Sequence, residues 1–203
     1  MVICGIDEAG RGPLAGPVAA GAVVFGDGEE ARRLLDRNIL RDSKDLSALT
    51  REELSREIRA SAEVWGLGWA WPWEIDRLNI HWASLLAMRR AFWALSLGFR
   101  GKTSGSGRCL EDVSVQVDGR FTPSLPVSCT AVVGGDRSVP EIQAAAILAK
   151  VARDRWMCSY GRLDPRYEFC SHKGYPTAAH RRLIDLNGIS PIHRRSFRMG
   201  PSA

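Results

Sequence analysis

Four carboxylates stand at the ends of apolar runs. Adjacent Asp7 and Glu8 close the run from Val2, Asp118 closes Val113–Val117, and Asp136 follows Val127–Val133 and a Gly-Gly pair. Acids in such places are not ordinary solvated-face residues. If the runs are neighbouring strands of one sheet, their ends converge and gather the carboxylates. Unscreened, such a group repels itself and raises its own pKa values. A divalent cation relieves the repulsion, and hard oxygen donors without paired Cys or His favour Mg²⁺ or Mn²⁺ over zinc. The chemistry on offer is that of a metal site. Adjacent Asp and Glu point to opposite faces of an ideal strand, so both reach the metals only where the strand ends or bulges, as Ala9-Gly10-Arg11-Gly12 permits. Asp-Gly and Gly-Gly-Asp are also good turn sequences, and the pattern alone leaves open that Asp118 and Asp136 are turn residues.

The elements that must position these acids are legible in the hydropathy pattern. Val2–Asp7 and Val18–Phe25 read as strands of a hairpin, with Gly-Arg-Gly-Pro as a tight connection. A helix is expected from Thr50, where Thr50 and Glu53 form a capping box and Leu54, Ile58 and Ala62 share a face. Val64–Trp71 reads as a third strand, and Ile75–Leu97 as one long helix with a buried face. Gly98–Gly107 has the composition of a surface loop. Val113–Val117 and Val127–Val133 complete the strands, an Ala-rich helix is expected over Ile142–Tyr160, and a short one over Ala178–Leu186. Strands interleaved with helices predict a mixed α/β domain with helices packed on a central sheet. No domain boundary interrupts the pattern, so residues 1–203 read as a single domain.

The 203 residues include 45% hydrophobic and 25% charged residues, which excludes disordered, collagen-like and coiled-coil architectures. No apolar run is long enough to span a membrane and the start does not resemble a signal peptide, so the expected location is the cytoplasm. Five scattered Cys without a CxxC pair indicate neither a disulfide framework nor a zinc knuckle, and reduced, structural thiols are expected. The net charge is +5. From Val151 onward ten Lys/Arg face four Asp/Glu, so the basic surplus lies wholly in the last quarter, interleaved with Tyr160, Tyr167, Tyr175 and Phe197. Such a segment suits a polyanionic partner; plain solubility is the competing explanation. The seven Trp suggest nothing beyond core packing.

Asp7-Glu8-Ala9-Gly10-Arg11-Gly12-Pro13-Leu14-Ala15-Gly16-Pro17-Val18 resembles the signature of the ribonuclease HII family, the bacterial-type branch of the type 2 RNase H enzymes. Further matches follow in order: Asp42-Ser43-Lys44, Glu74-Ile75-Asp76 with Leu78-Asn79-Ile80, Val117-Asp118-Gly119, Gly135-Asp136, Ala149 to Asp154, His172-Lys173-Gly174-Tyr175 with His180, and Ile192-His193-Arg194 with Ser196-Phe197. The resemblance runs from Ile3 to about Phe197. It implies an RNase H-like mixed five-stranded sheet flanked by helices, with a helical C-terminal part over about 151–203 that contacts nucleic acid. It also implies endonucleolytic cleavage of RNA in RNA–DNA hybrids, including nicking on the 5′ side of a single ribonucleotide in duplex DNA. Asp7, Glu8, Asp118 and Asp136 are then the catalytic metal-binding carboxylates, with two Mg²⁺ or Mn²⁺ ions and products ending in a 5′-phosphate and a 3′-hydroxyl.

In the family, the backbone of Gly10-Arg11-Gly12 approaches the ribose 2′-OH and the ring of Tyr175 meets the RNA-to-DNA step. Glycines suit that task because they let main-chain groups reach the sugar. Lys44, Lys150 and Arg194 are candidate phosphate contacts, with ordinary surface charge as the competing explanation for each. His172, His180 and His193 match no tight ligand spacing and are expected to be structural or to contact phosphate. The chain departs from the family pattern at Ala146, where a Ser is usual, at Ser138, where a Lys is common, and at Pro176 after the Tyr. Rival readings are a related carboxylate-cluster nuclease, such as a 3′–5′ exonuclease or a junction resolvase, and a silent hybrid binder. A monomer is expected, and no replication or transcription partner is legible.

Overall fold

The computed structural model describes residues 2–36, 46–101 and 110–199. Its centre is a five-stranded mixed sheet in the order β3-β2-β1-β4-β5. The strands are β1 (Val2–Ala9), β2 (Val18–Phe25), β3 (Ala62–Ala70), β4 (Val113–Asp118) and β5 (Cys129–Val132). β1 pairs antiparallel with β2 and parallel with β4, and β4 runs parallel with β5. The C-terminal ends of β1, β4 and β5 therefore share one edge of the sheet.

Helices cover both faces. α3 (Pro72–Gly101) packs with Cys4, Ile6, Val115 and Val117 on one face. α5 (Pro140–Leu163) and α2 (Ala48–Ser61) enclose Val23 and Phe25 on the other. The remaining helices are α1 (Glu29–Asp36), α4 (Gly135–Ser138), α6 (Phe169–His172) and α7 (Ala178–Asn187). β2 is buried at every position because it is an interior strand covered on both sides, hence its unbroken apolar run. The α5 contact is unusually close. A Cβ on Gly21 would lie 2.4 Å from the Ala145 carbonyl oxygen, so only glycine lets the helix settle there.

Several expectations need correction. The β1–β2 connection, residues 10–17, is no tight turn but a loop tied to distant chain, with Leu14 N–H donating to the Gly174 carbonyl and Gly16 N–H to Ile192. α2 begins earlier than Thr50, because the Ser47 hydroxyl accepts from Thr50 N–H and is the actual cap. α3 is not one helix. Asn79 adopts φ 67, ψ 167, and its side chain accepts from the N–H groups of His81 and Trp82, starting a second helical run. Of the expected Gly98–Gly107 loop, residues 98–101 continue α3, and the rest lies outside the described residues. Trp73, Trp82 and Trp93 are 64, 58 and 45% exposed, so core packing does not explain them. Cys158 and Cys170 are joined as a disulfide between α5 and α6, contrary to the expectation of reduced thiols, while Cys4 and Cys129 are free. Their separation of 12 residues carries no motif, and only the fold brings them together. No helix among the described residues is long and apolar enough to cross a membrane.

Candidate active site

Strand register gathers the acids. Ile6 pairs with Val117, and Asp7 and Asp118 each follow one residue later on neighbouring parallel strands. Ile6 and Val117 point into the α3 core, so strand alternation turns Asp7 and Asp118 toward α5. Glu8 alternates away in an ideal strand, yet the strand ends here and Glu8 lines the same cleft as Asp7. Asp136 comes from α4, just past β5, and its N–H donates to Asp118 Oδ1 at 3.3 Å. Asp118 and Asp136 are thus bound to each other across two chain segments and do not act merely as local turn residues.

A cleft of about 340 Å³ opens over this edge, lined by Asp7, Glu8, Gly10, Asp136, Lys150 and Tyr175, with Arg51 and Ala146 at its walls. Asp7 is buried, at 8% exposure. Burial, then the charges of Glu8 and Asp118, hold its carboxyl well above the ordinary carboxylate range, against the single offset of the Glu8 N–H at 2.7 Å. Among the described residues, no three His, Cys, Asp or Glu side chains are gathered tightly enough to grip an ion as they stand. Arg11 donates to Glu8 at 3.2 Å and is itself largely exposed at the cleft rim.

The candidate phosphate contacts separate. Lys150 is at the cleft, paired with Asp154 at 2.9 Å and 5.5 Å from the Tyr175 ring centre. Lys44 lies outside the described residues. Arg194 is no phosphate contact: it is fully buried, and its guanidinium donates to the carbonyls of Gly16 at 2.9 Å, Arg11 at 2.9 Å and Gly10 at 2.6 Å. Burial, then neighbouring Arg153, lowers its pKa to about 9, leaving it charged at neutral pH.

Arg153, which sequence reasoning passed over, does the matching work from α5. It is fully buried and donates to the carbonyls of Pro17, Lys173 and Ala15. The available signal was an arginine in line with the apolar face of the helix, beside Ala149 and Ala152. Gly10 lies between the two guanidinium groups at φ +98, and a Cβ there would fall 2.1 Å from Arg153 Nε. Two buried arginines therefore hold the loop of residues 10–17, Arg194 at Gly10, Arg11 and Gly16 and Arg153 at Ala15 and Pro17, and Arg153 ties it to Lys173 near Tyr175. Gly12 stands beside the ring, with a built Cβ 3.9 Å from Tyr175 Cε1. Tyr175 itself is 38% exposed, free to meet a ligand. His172, His180 and His193 are all buried, which removes the phosphate alternative and leaves the structural one.

Of the departures, Ala146 lines the cleft, Ser138 donates to the Gly134 carbonyl within α4, and Pro176 is exposed beside Tyr175.

A family model described as ribonuclease HII matches residues 4–199. Ribonuclease HII of Treponema denticola is 45% identical over 199 residues, covering 97% of this chain and 98% of the relative. Among solved structures, a chain of the PCNA:RNase HII complex from Archaeoglobus fulgidus aligns with TM-score 0.71 and 22% identity, covering 100% of this chain and 98% of that one. Bst-RNase HIII, solved in complex with Mn²⁺, aligns with TM-score 0.65 and 15% identity over 93% of this chain and 63% of its own. The two structures share the fold, and the sequence match extends the likeness over nearly the whole chain: the chain belongs to the ribonuclease HII family and is an endoribonuclease of the RNase H class.

Proposed function

We propose that this enzyme cleaves the RNA strand of RNA–DNA hybrids and nicks on the 5′ side of single ribonucleotides embedded in duplex DNA, leaving 5′-phosphate and 3′-hydroxyl ends. The observation that carries the reading is the shared cleft: Asp7, Glu8 and Asp136 lie beside Gly10 and Tyr175. A carboxylate group meant only for phosphodiester hydrolysis has no use for a rigid glycine loop next to it. A loop that reads a ribose 2′-OH does, because that hydroxyl alone marks RNA.

The donor set fits a divalent cation. Asp7, Glu8, Asp118 and Asp136 supply only hard oxygens, and burial together with the neighbouring charges of Glu8 and Asp118 raises the Asp7 carboxyl, a penalty that a cation would relieve. When bound, Mg²⁺ or Mn²⁺ ions, two of them by the resemblance, would activate a water for in-line attack and stabilise the departing 3′ oxygen. The protein's own part is to hold and select. Arg194 holds the Gly10 and Arg11 carbonyls, and Arg153 packs against Gly10 while holding those of Ala15 and Pro17, before substrate arrives, so little ordering remains to be done on binding. Lys150 sits where a phosphate beside the scissile bond would pass, and Arg51 brings a second cation to the same cleft. Tyr175 supplies a half-exposed ring for the deoxyribose that follows the ribonucleotide. We read the enzyme as a monomer acting on the duplex directly.

The test is cleavage of three end-labelled duplexes, an RNA–DNA hybrid, DNA with one ribonucleotide and all-DNA, in Mg²⁺, Mn²⁺ or EDTA. Metal-dependent cutting confined to ribose-containing strands is expected. Cutting of all-DNA would move the reading to a general carboxylate nuclease, and hybrid binding without cutting under either metal would leave a silent binder.

A further inference from the structure

Three of the chain's four histidines are buried together behind the Tyr175 segment. The rings of His172 and His180 stack with centroids 4.2 Å apart, and His180 Nε2 meets His193 Nε2 at 3.1 Å. Each ring nitrogen of the three has a partner, and the partners dictate where the protons are.

The Ser190 N–H can only donate, and it points at His193 Nδ1 from 2.8 Å. His193 therefore carries its proton on Nε2. That N–H donates to His180 Nε2, which must be bare, so the His180 proton sits on Nδ1. Nδ1 lies 2.9 Å from the Tyr175 carbonyl, which can only accept. The sequence Ser190, His193, His180, Tyr175 is thus a continuous donor-to-acceptor chain with one permitted set of tautomers. His172 forms a second tie: Gly174 N–H donates to its Nδ1 at 3.2 Å, and its Nε2–H donates to the Tyr167 carbonyl at 2.8 Å. Tyr175 N–H closes the segment by donating to the His172 carbonyl at 2.9 Å.

Neither end of the chain tolerates an extra proton, since protonated His180 would face the His193 N–H and protonated His193 the Ser190 N–H. Burial agrees, lowering the pKa of both His180 and His193 to about 4. The charged groups facing the cluster are Asp164 toward His193, and Glu168 and Lys173 toward His172.

We infer that His180, backed by His193, is a positioning residue for junction recognition: its single tautomer fixes the Tyr175 main chain and so the ring that closes over the cleft. The inference rests on the reading of Tyr175 given under Proposed function. It assigns buried histidines with no exposed face a defined task in selecting substrate, through a hydrogen bond that a merely space-filling ring does not need.

Two measurements test it. In the wild-type enzyme at neutral pH, long-range ¹H–¹⁵N spectra of the imidazoles should show His193 and His172 protonated on Nε2 and His180 on Nδ1. His180 found as the Nε2–H tautomer or as imidazolium overturns the inference, whatever any variant does. Second, His180→Asn keeps a donor at the δ position facing Tyr175, whereas His180→Gln reaches His193 and leaves the Tyr175 carbonyl with the Thr177 N–H, at 2.8 Å, in place of two donors. His180→Asn should stay within about twofold of wild type, while His180→Gln loses roughly tenfold in kcat/KM on the single-ribonucleotide duplex relative to the long hybrid. Tyr175→Ala separates the two ideas. If it leaves single-ribonucleotide nicking intact, the reading of Tyr175 fails. If it abolishes that preference while the Asn and Gln variants behave alike and melt alike, the positioning role of His180 fails alone. Should His180→Gln not fold, the wild-type tautomers decide.

Discussion

Replacing Arg194 by Lys separates its structural role from a surface-charge role. The guanidinium satisfies three carbonyls, those of Gly10, Arg11 and Gly16, from a fully buried position. A lysine ammonium has one nitrogen on a flexible stem and cannot copy the fork. About two of the three carbonyls then lose their donor, at about 1–3 kcal/mol each, so a loss of about 2–6 kcal/mol is expected. A total stability of about 5–15 kcal/mol keeps the variant folded at room temperature over most of that range. At about 2–4 °C per kcal/mol for a chain of this size, Tm should fall by about 4–24 °C. Because the loosened residues are those proposed to read the ribose, kcat/KM on any ribose-containing duplex should drop by about tenfold or more. Thermal unfolding, cleavage rates and the salt dependence of duplex binding in EDTA read the three consequences. A phosphate contact behaves in the opposite way: lysine keeps the charge, so the salt slope, Tm and cleavage all stay close to wild type. An Arg194→Lys enzyme with wild-type Tm and wild-type kcat/KM would refute the structural role.

Asp7→Asn should abolish cleavage while sparing duplex binding, because it removes a carboxylate charge from the cluster and little shape; gel shifts beside cleavage assays check both halves. Ala146→Ser returns a hydroxyl to the cleft wall and should lower KM by about two- to tenfold, the worth of one neutral hydrogen bond. For His180 and His193 the native pKa, about 4, lies below the unfolded value of 6.5, so the unfolded chain binds more protons between those pH values and stability falls as pH drops through that window. Each ring contributes roughly 3 kcal/mol to that loss, and Tm measured from pH 8 to pH 4 should be level above about pH 7 and fall below it; a flat profile would contradict neutral histidines. Thiol titration of the denatured, unreduced protein should find two fewer reactive groups than after reduction, and reduction should cost about 3 kcal/mol of stability for a loop of this length.

The acids were legible because strands announce themselves by apolar runs and a charge closing such a run has few innocent explanations. Neighbouring strands then had only to be parallel for Asp7 and Asp118 to meet. What escaped the sequence was tertiary. Arg194 and Arg195 are adjacent and identical in type, yet one is wholly buried and the other exposed, because the Gly10–Pro17 loop folds over only the first. Arg153 was hidden for the same reason, two of its three carbonyl partners lying well over a hundred residues away along the chain. The kink at Asn79 left no mark in the periodicity, since both halves of α3 bury an apolar face and an asparagine is rare enough at φ > 0 to pass as helical. The Thr50-x-x-Glu53 box drew the expected start to Thr50, although the cap is Ser47, three residues earlier. The histidines, eight and thirteen residues apart, showed nothing until α6, α7 and the C-terminal loop brought their rings into contact.

The most direct measurement is to map the cut on a DNA duplex carrying one ribonucleotide, beside the same duplex with deoxyribose at that position, in Mg²⁺ or Mn²⁺. A single nick on the 5′ side of the ribonucleotide, with a 3′-hydroxyl on one fragment and a 5′-phosphate on the other, and none in the all-deoxy duplex, is the predicted result. Equal nicking of both duplexes, or cleavage on the 3′ side, would contradict the coupling of the carboxylate cluster to the Gly10–Gly12 loop and Tyr175.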